Sequence, residues 1–166
     1  MTWQIAQLNV GRVLAPTDSP ILAEFMAALD GVNALADTAP GFVWRLKSDS
    51  GNATDIIVSA DSLFLINMSV WESVEALFDF VYRSMHTKYM ARRREWFEKP
   101  VEQYLVLWWV PVGHVPTPQE ALARLEHLRA NGPSLHAFTF REKYPAPGND
   151  GAPEDMKPEP YCVGWE

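Results

Sequence analysis

The sequence predicts an α+β fold: a ferredoxin-like antiparallel sheet with helices on one face. Three observations predict it. The hydrophobic period switches between two and about 3.6 residues in the order β-α-β-β-α-β-α-β. The apolar runs are strand-sized, the longest being Leu105 to Val112, far short of the ~20 residues that span a bilayer. A chain of 166 residues, 48% hydrophobic and 21% charged, suits one domain with a sizeable core.

The elements follow in order. Residues 3–11 alternate as a strand, with Trp3, Ile5, Gln7 and Asn9 on one face. Ser19 is an N-cap and Pro20 takes the first helical position; Leu22, Phe25, Met26, Leu29 and Val32 then recur at helical spacing until Pro40-Gly41. A second strand spans 42–47, with Phe42, Trp44 and Leu46 sharing a face. After a polar turn, a short strand at 56–58 and a stronger one at 63–71 follow. A second helix starts near Ser73. Its stripe of Val74, Leu77, Phe78, Val81, Tyr82 and Met85 blurs at Arg92-Arg93-Arg94, where the helix bends or an arginine enters a partly buried site. Tyr104 to Val110 is a strand apolar on both faces. Thr117-Pro118-Gln119-Glu120 opens a third helix with a capping box, and Asn131-Gly132-Pro133 stops it. A last strand is expected at 137–141. The folded domain is expected at 1–142, with an acidic, proline-rich tail at 143–166. Both sheet faces carry large apolar residues, so a second copy packed sheet to sheet is expected.

Composition excludes several classes. The charge balance, 14 − 21 = −7, argues against a nucleic-acid partner. The one cysteine, Cys162, forbids an internal disulfide or a cysteine-based metal cage. The four histidines have no metal-ligand spacing, and no metal site is expected. No phosphate loop or nucleophile elbow is present. The N-terminus lacks a basic, apolar leader, so the expectation is a cytoplasmic protein with no membrane partner.

A set of segments carries a resemblance: Phe42-Val43-Trp44; Asn67 to Leu77; His86; Arg92-Arg93-Arg94-Glu95-Trp96-Phe97; Leu107 to His114; Gly132-Pro133; and Ala137-Phe138-Thr139-Phe140. Over roughly residues 3–142 the chain resembles the bacterial DUF3291 family. That family looks like a branch of the dimeric α/β-barrel superfamily, which includes the antibiotic-biosynthesis monooxygenases. The resemblance implies the fold, a homodimer, and a small enzyme acting on an aromatic or phenolic substrate without a cofactor. It also implies alternatives: a haem-binding member, or a non-enzymatic dimer that binds a small aromatic molecule. It transfers no catalytic residue.

The candidate residues come from the sequence itself. His86 lies with Tyr82 and Arg93 along one edge of the second helix, if that helix is regular. There it is a general base, a donor to a phenolate or a haem ligand, or else a helix-end histidine bonded to backbone. Seven tryptophans are the unusual feature of the composition. Trp44, Trp71 and Trp96 either wall a pocket for a flat ligand or fill a core. Gln7, Asn9, Asn67 and Ser69 are expected to cluster beside Trp71, with Asn67 orienting a ligand, or to sit at a solvated rim. Arg92 to Arg94 either bind an anion or pair with Glu95 and Glu98. His114 lies over a pocket mouth or is a turn residue.

Overall fold

A computed structural model describes residues 3–148. The strands β1 (Trp3–Arg12), β2 (Phe42–Arg45), β3 (Phe64–Trp71) and β4 (Leu105–Pro111) form one four-stranded sheet in the order β2-β3-β1-β4. Every pairing is antiparallel. The helices are α1 (Ala23–Asp37), α2 (Val74–Arg83), α3 (His86–Ala91) and α4 (Pro118–Asn131). This strand order is the one a β-α-β-β-α-β chain adopts in a ferredoxin-like sheet.

Alternation along β1 separates two cores. Ala6, Leu8 and Val10 point to one face, with Ile66, Met68, Val70, Val106 and Trp108. Ile5 points to the other, with Trp71 and Leu107. The residues paired across the ladders agree with this division: Ile5 opposes Trp71 and Trp109, and Gln7 opposes Ser69 and Leu107.

The expectation of helices on one face is corrected. The buried stripe of α2 (Val74, Leu77, Phe78) lies on the Ile5 face, and Leu22, just before α1, packs there with Phe25 and Met26 of its first turn. The stripe of α4 (Ala121, Leu125, Leu128) lies on the opposite face against Trp108. Thr117 Oγ1 caps α4 by accepting from the Glu120 N–H at 3.1 Å. The same glutamate accepts from Trp108 Nε1 at 3.0 Å and pairs with His114 Nε2 at 2.8 Å. His114 thus belongs to the α4 side. The second face finds its cover within one chain, and the sheet-to-sheet dimer loses the bare apolar face it was inferred from.

Three elements differ from the sequence reading. Residues 56–58 form no strand. Residues 137–141 reduce to single bridges, Leu107 with Phe138 and Ser134 with Ala137. The long second helix breaks at Ser84, whose backbone turns extended (φ −105°, ψ −178°). The Ser84 hydroxyl donates to the Phe80 carbonyl and accepts from the His86 N–H, which diverts two groups from the helical ladder. The helix restarts as α3 and ends in a tight turn at Arg93–Glu95. At the far end, packing continues past residue 142: the Tyr144 carbonyl accepts from Trp109 Nε1 at 2.8 Å. Residues 149–166 of the expected tail, Cys162 included, lie outside the described residues.

Candidate functional site

On the Ile5 face the sheet and α1 do not close on each other. Leu22, Phe25 and Met26 pack with Val13, Leu65 and Trp96. Further along α1, Ala28, Leu29 and Val32 join none of the packed clusters. They roof a cavity of about 230 Å³.

The floor of the cavity is a polar ladder across β1 and β3. The Gln7 side chain, 4% exposed, donates Nε2 to Asn67 Oδ1 at 2.8 Å and to Ser69 Oγ at 2.9 Å. Ser69 Oγ also accepts from Trp71 Nε1 at 2.8 Å. Asn9 reaches the Gln7 oxygen at 3.4 Å. The four amide and hydroxyl groups therefore do cluster beside Trp71, because Gln7 opposes Ser69 and Asn9 opposes Asn67 in the register. Their mutual bonds satisfy most of what burial would leave costly. Asn67 remains exposed although β3 lies inside the sheet, since the cavity stands over it.

One end wall is aromatic. Trp71 is 1% exposed, stacks on Phe80 (centroids 5.0 Å, planes 27° apart) and meets the Phe42 edge at 5.3 Å. Phe80 in turn lies 5.2 Å from the His86 ring. His86 Nδ1 is 3.3 Å from the Val81 carbonyl. A carbonyl only accepts, so Nδ1 carries the proton and Nε2 keeps its lone pair. Burial holds the His86 pKa below its ordinary value, and the Arg93 charge adds to this; the Val81 carbonyl works the other way. The ring is neutral at pH 7.

The cavity lining also holds a cation among rings. The Arg93 guanidinium lies 4.8 Å from the Tyr104 centroid and 5.7 Å from that of Phe97. Burial lowers its pKa, opposed by Tyr104 and Tyr82, yet a guanidinium stays charged. Gly11 makes room here: a Cβ at this position would meet Phe97 Cδ1 at 2.7 Å. Arg92 turns outward instead and pairs with Glu95 at 2.7 Å and with Glu24. The arginine run thus splits between solvent and cavity.

Of the residues singled out from the sequence, His86, Asn67, Trp71, Tyr82, Arg93 and Trp96 line this one cavity. Tyr82, His86 and Arg93 meet there despite the break at Ser84. Trp44 does not reach it, which corrects the expectation. A bulge between Phe42 and Trp44 shifts the register, so Phe42 opposes Trp71 while Trp44 opposes Val70. The shift turns Trp44 to the α4 face, where it packs on that core. It turns Arg45 toward the cavity, where Asp37 holds it at 2.7 Å. Phe80, Arg45 and Tyr104 were not singled out by sequence reasoning. Phe80 falls off the helical stripe, and an unseen bulge cannot place Arg45. Among the described residues no group of three His, Cys, Asp or Glu could hold a metal. No helix among them is long and apolar enough to cross a membrane.

Ser69→Ala is expected to cost about 1–3 kcal/mol, because the buried Trp71 N–H loses its acceptor and Gln7 loses one of two. Urea unfolding measures it; a loss within about 0.5 kcal/mol, the usual range for an ordinary surface substitution, contradicts the ladder's role.

A four-stranded antiparallel α+β domain with a solvent-open cavity of aromatic walls and polar floor is thus defined. The chain belongs to the family described as Domain of unknown function (DUF3291), which it matches over residues 4–154. No curated protein and no solved structure matches it.

Proposed function

We propose that the chain is a small-molecule enzyme of the monooxygenase-like type that takes a single-ring phenol into the cavity beneath α1. One observation carries this reading: His86 commits Nδ1 to the Val81 carbonyl and keeps Nε2 as a proton acceptor at an aromatic wall. The phenol proton passes to Nε2, leaving a phenolate and an imidazolium. Asn67 has its oxygen engaged by Gln7 and offers its amide N–H to the substrate oxygen. The phenolate is the electron-rich form that dioxygen oxidises: a ring C–H is replaced by C=O to give a quinone, the ring supplies the two electrons that reduce the second oxygen atom, and that atom leaves as water with the C–H and phenol protons, the latter returned by His86.

Size sets the substrate. About 230 Å³ exceeds the ~150 Å³ that holds benzene and falls below the ~300 Å³ where sites for drug-sized ligands begin. One substituted ring fits; a polycyclic phenol does not. Haem does not fit either, and no step is assigned to it. The strand order supports a place beside the dimeric α/β-barrel proteins. Because α4 occupies the face on which those sheets meet, a dimer of this chain would use another surface.

Dioxygen uptake with substituted phenols tests the reading. His86→Gln is expected to lower the rate roughly 10²–10⁴-fold while phenol affinity changes little. The neutral imidazole is the active form, so the wild-type rate stays flat through the ordinary value of 6.5 and falls only as pH drops through the depressed value of the folded chain. Stability has the same sign. The folded chain binds this proton less readily than the unfolded chain, so the contribution is full above 6.5 and is lost as pH falls through the folded value. Phenol binding without oxygen uptake would leave a non-enzymatic binder. No phenol binding at all would overturn the site.

A further inference from the structure

We infer that the cavity floor is an oxyanion cradle, in which the Ser69 O–H joins the Asn67 N–H in holding the oxygen of a ring bound as its phenolate. This rests on the reading above and adds Ser69 to its catalytic groups. Ser69 Oγ accepts from Gln7 Nε2 at 2.9 Å and from Trp71 Nε1 at 2.8 Å, which occupies both lone pairs of the hydroxyl. Its proton is left to donate, and no described residue accepts it. Ser69 is 7% exposed and lines the cavity. A buried donor with no acceptor is costly, so the site demands an acceptor from outside the chain. Asn67 repeats the pattern two residues earlier on the same face of β3. Its Oδ1 accepts from Gln7 at 2.8 Å and from Asn9 at 3.5 Å, and its amide N–H has no described acceptor. One Gln7 nitrogen holds both the Ser69 and the Asn67 oxygens, so the two donors stand side by side. The Gln7 oxygen accepts from Asn9. The pair therefore meets a ligand with donors and takes an oxygen that has lone pairs to give. Negative charge on that oxygen strengthens both bonds, and no Asp or Glu among the described lining residues repels it. Burial leaves His86 a weak base. Donors at the phenolate oxygen offset that weakness as the phenol proton passes to His86 Nε2.

Spectrophotometric titration of the full chain with 4-nitrophenol tests this, because the phenolate of this probe absorbs at a longer wavelength than the neutral form. At a pH where most of the free probe is neutral, the bound probe is expected to gain the phenolate band, its ionisation constant raised roughly tenfold. Asn67→Ala and Ser69→Ala are each expected to lose most of that shift while still binding the probe. Ser69→Cys keeps an acceptor for the Trp71 N–H but is a weaker donor, and it serves where Ser69→Ala fails to fold. The same loss is expected of it. A probe that binds in its neutral form, or a shift that survives replacement at either position, overturns the cradle, while binding itself keeps the cavity reading. Failure of both 4-nitrophenol and phenol to bind overturns both.

Discussion

Val32→Trp is expected to abolish ring binding and leave the fold intact. Val32 lies on the cavity side of α1 and joins no packed cluster, so the space beside it is empty rather than filled. An indole placed there takes much of a cavity of about 230 Å³. Affinity for phenol is expected to fall roughly a hundredfold or more, a loss near 2.7 kcal/mol on the usual conversion. Tryptophan is tolerated in a helix at a few tenths of a kcal/mol, so melting temperature is expected to hold or rise slightly. The same change at Leu125, fully buried between α4 and the sheet, has no space to fill and costs about 1–3 kcal/mol through overpacking. Calorimetry and thermal unfolding of the two variants separate the filled face from the open one. Wild-type affinity in Val32→Trp would contradict the location of the site.

Gly41→Ala is expected to be the most damaging small substitution in the chain. Gly41 joins α1 to β2 with φ +77°, a conformation that costs a side-chain-bearing residue about 1–2 kcal/mol. Its added Cβ would also meet the Ala76 Cβ at 2.6 Å, against the first turns of α2. Relieving that contact means moving α2 or the strand end, where the Gly41 carbonyl accepts from the Glu72 N–H at 2.8 Å. Such forced shifts add about 1–3 kcal/mol. Together, roughly 2–5 kcal/mol lowers the melting temperature by about 6–15 °C for a domain of this size. Gly51, at φ +89° with nothing within 4 Å, has the backbone strain without the clash. Gly51→Ala is therefore expected to cost only the strain. Equal losses at both positions would show that α2 yields freely.

Much of this architecture was legible in the residues. Caps at Ser19, Ser73 and Thr117 mark real helix starts, because each side chain accepts from a backbone N–H that the first turn leaves unpaired. The polar ladder was legible because period-two alternation places Gln7 and Asn9 on one face, and the fold pairs that strand with the one bearing Asn67 and Ser69. Other features depend on tertiary detail. Trp44 was assigned to the wrong face because a bulge at Val43 breaks the alternation, and nothing local in Phe42-Val43-Trp44 announces it. The break at Ser84 comes from one hydroxyl competing with the helical ladder, a contest that the surrounding apolar spacing hides. The stripe of Leu29 and Val32 reads as core, since periodicity reports which face is apolar but not whether a partner touches it. The cover of the second face was missed for the same reason: the period predicts α4 without saying which face it packs on.

The central claim is that a small ring binds between α1 and the polar ladder. Indole N–H resonances of the labelled chain, titrated with phenol, test it most directly. Trp71 and Trp96 line the cavity, whereas Trp44 and Trp108 pack on the opposite face of the sheet. Saturable shifts at Trp71 and Trp96, with Trp44 and Trp108 unmoved, are the predicted result. Shifts confined to Trp44 and Trp108, or none at Trp71 and Trp96 at saturating phenol, would contradict it.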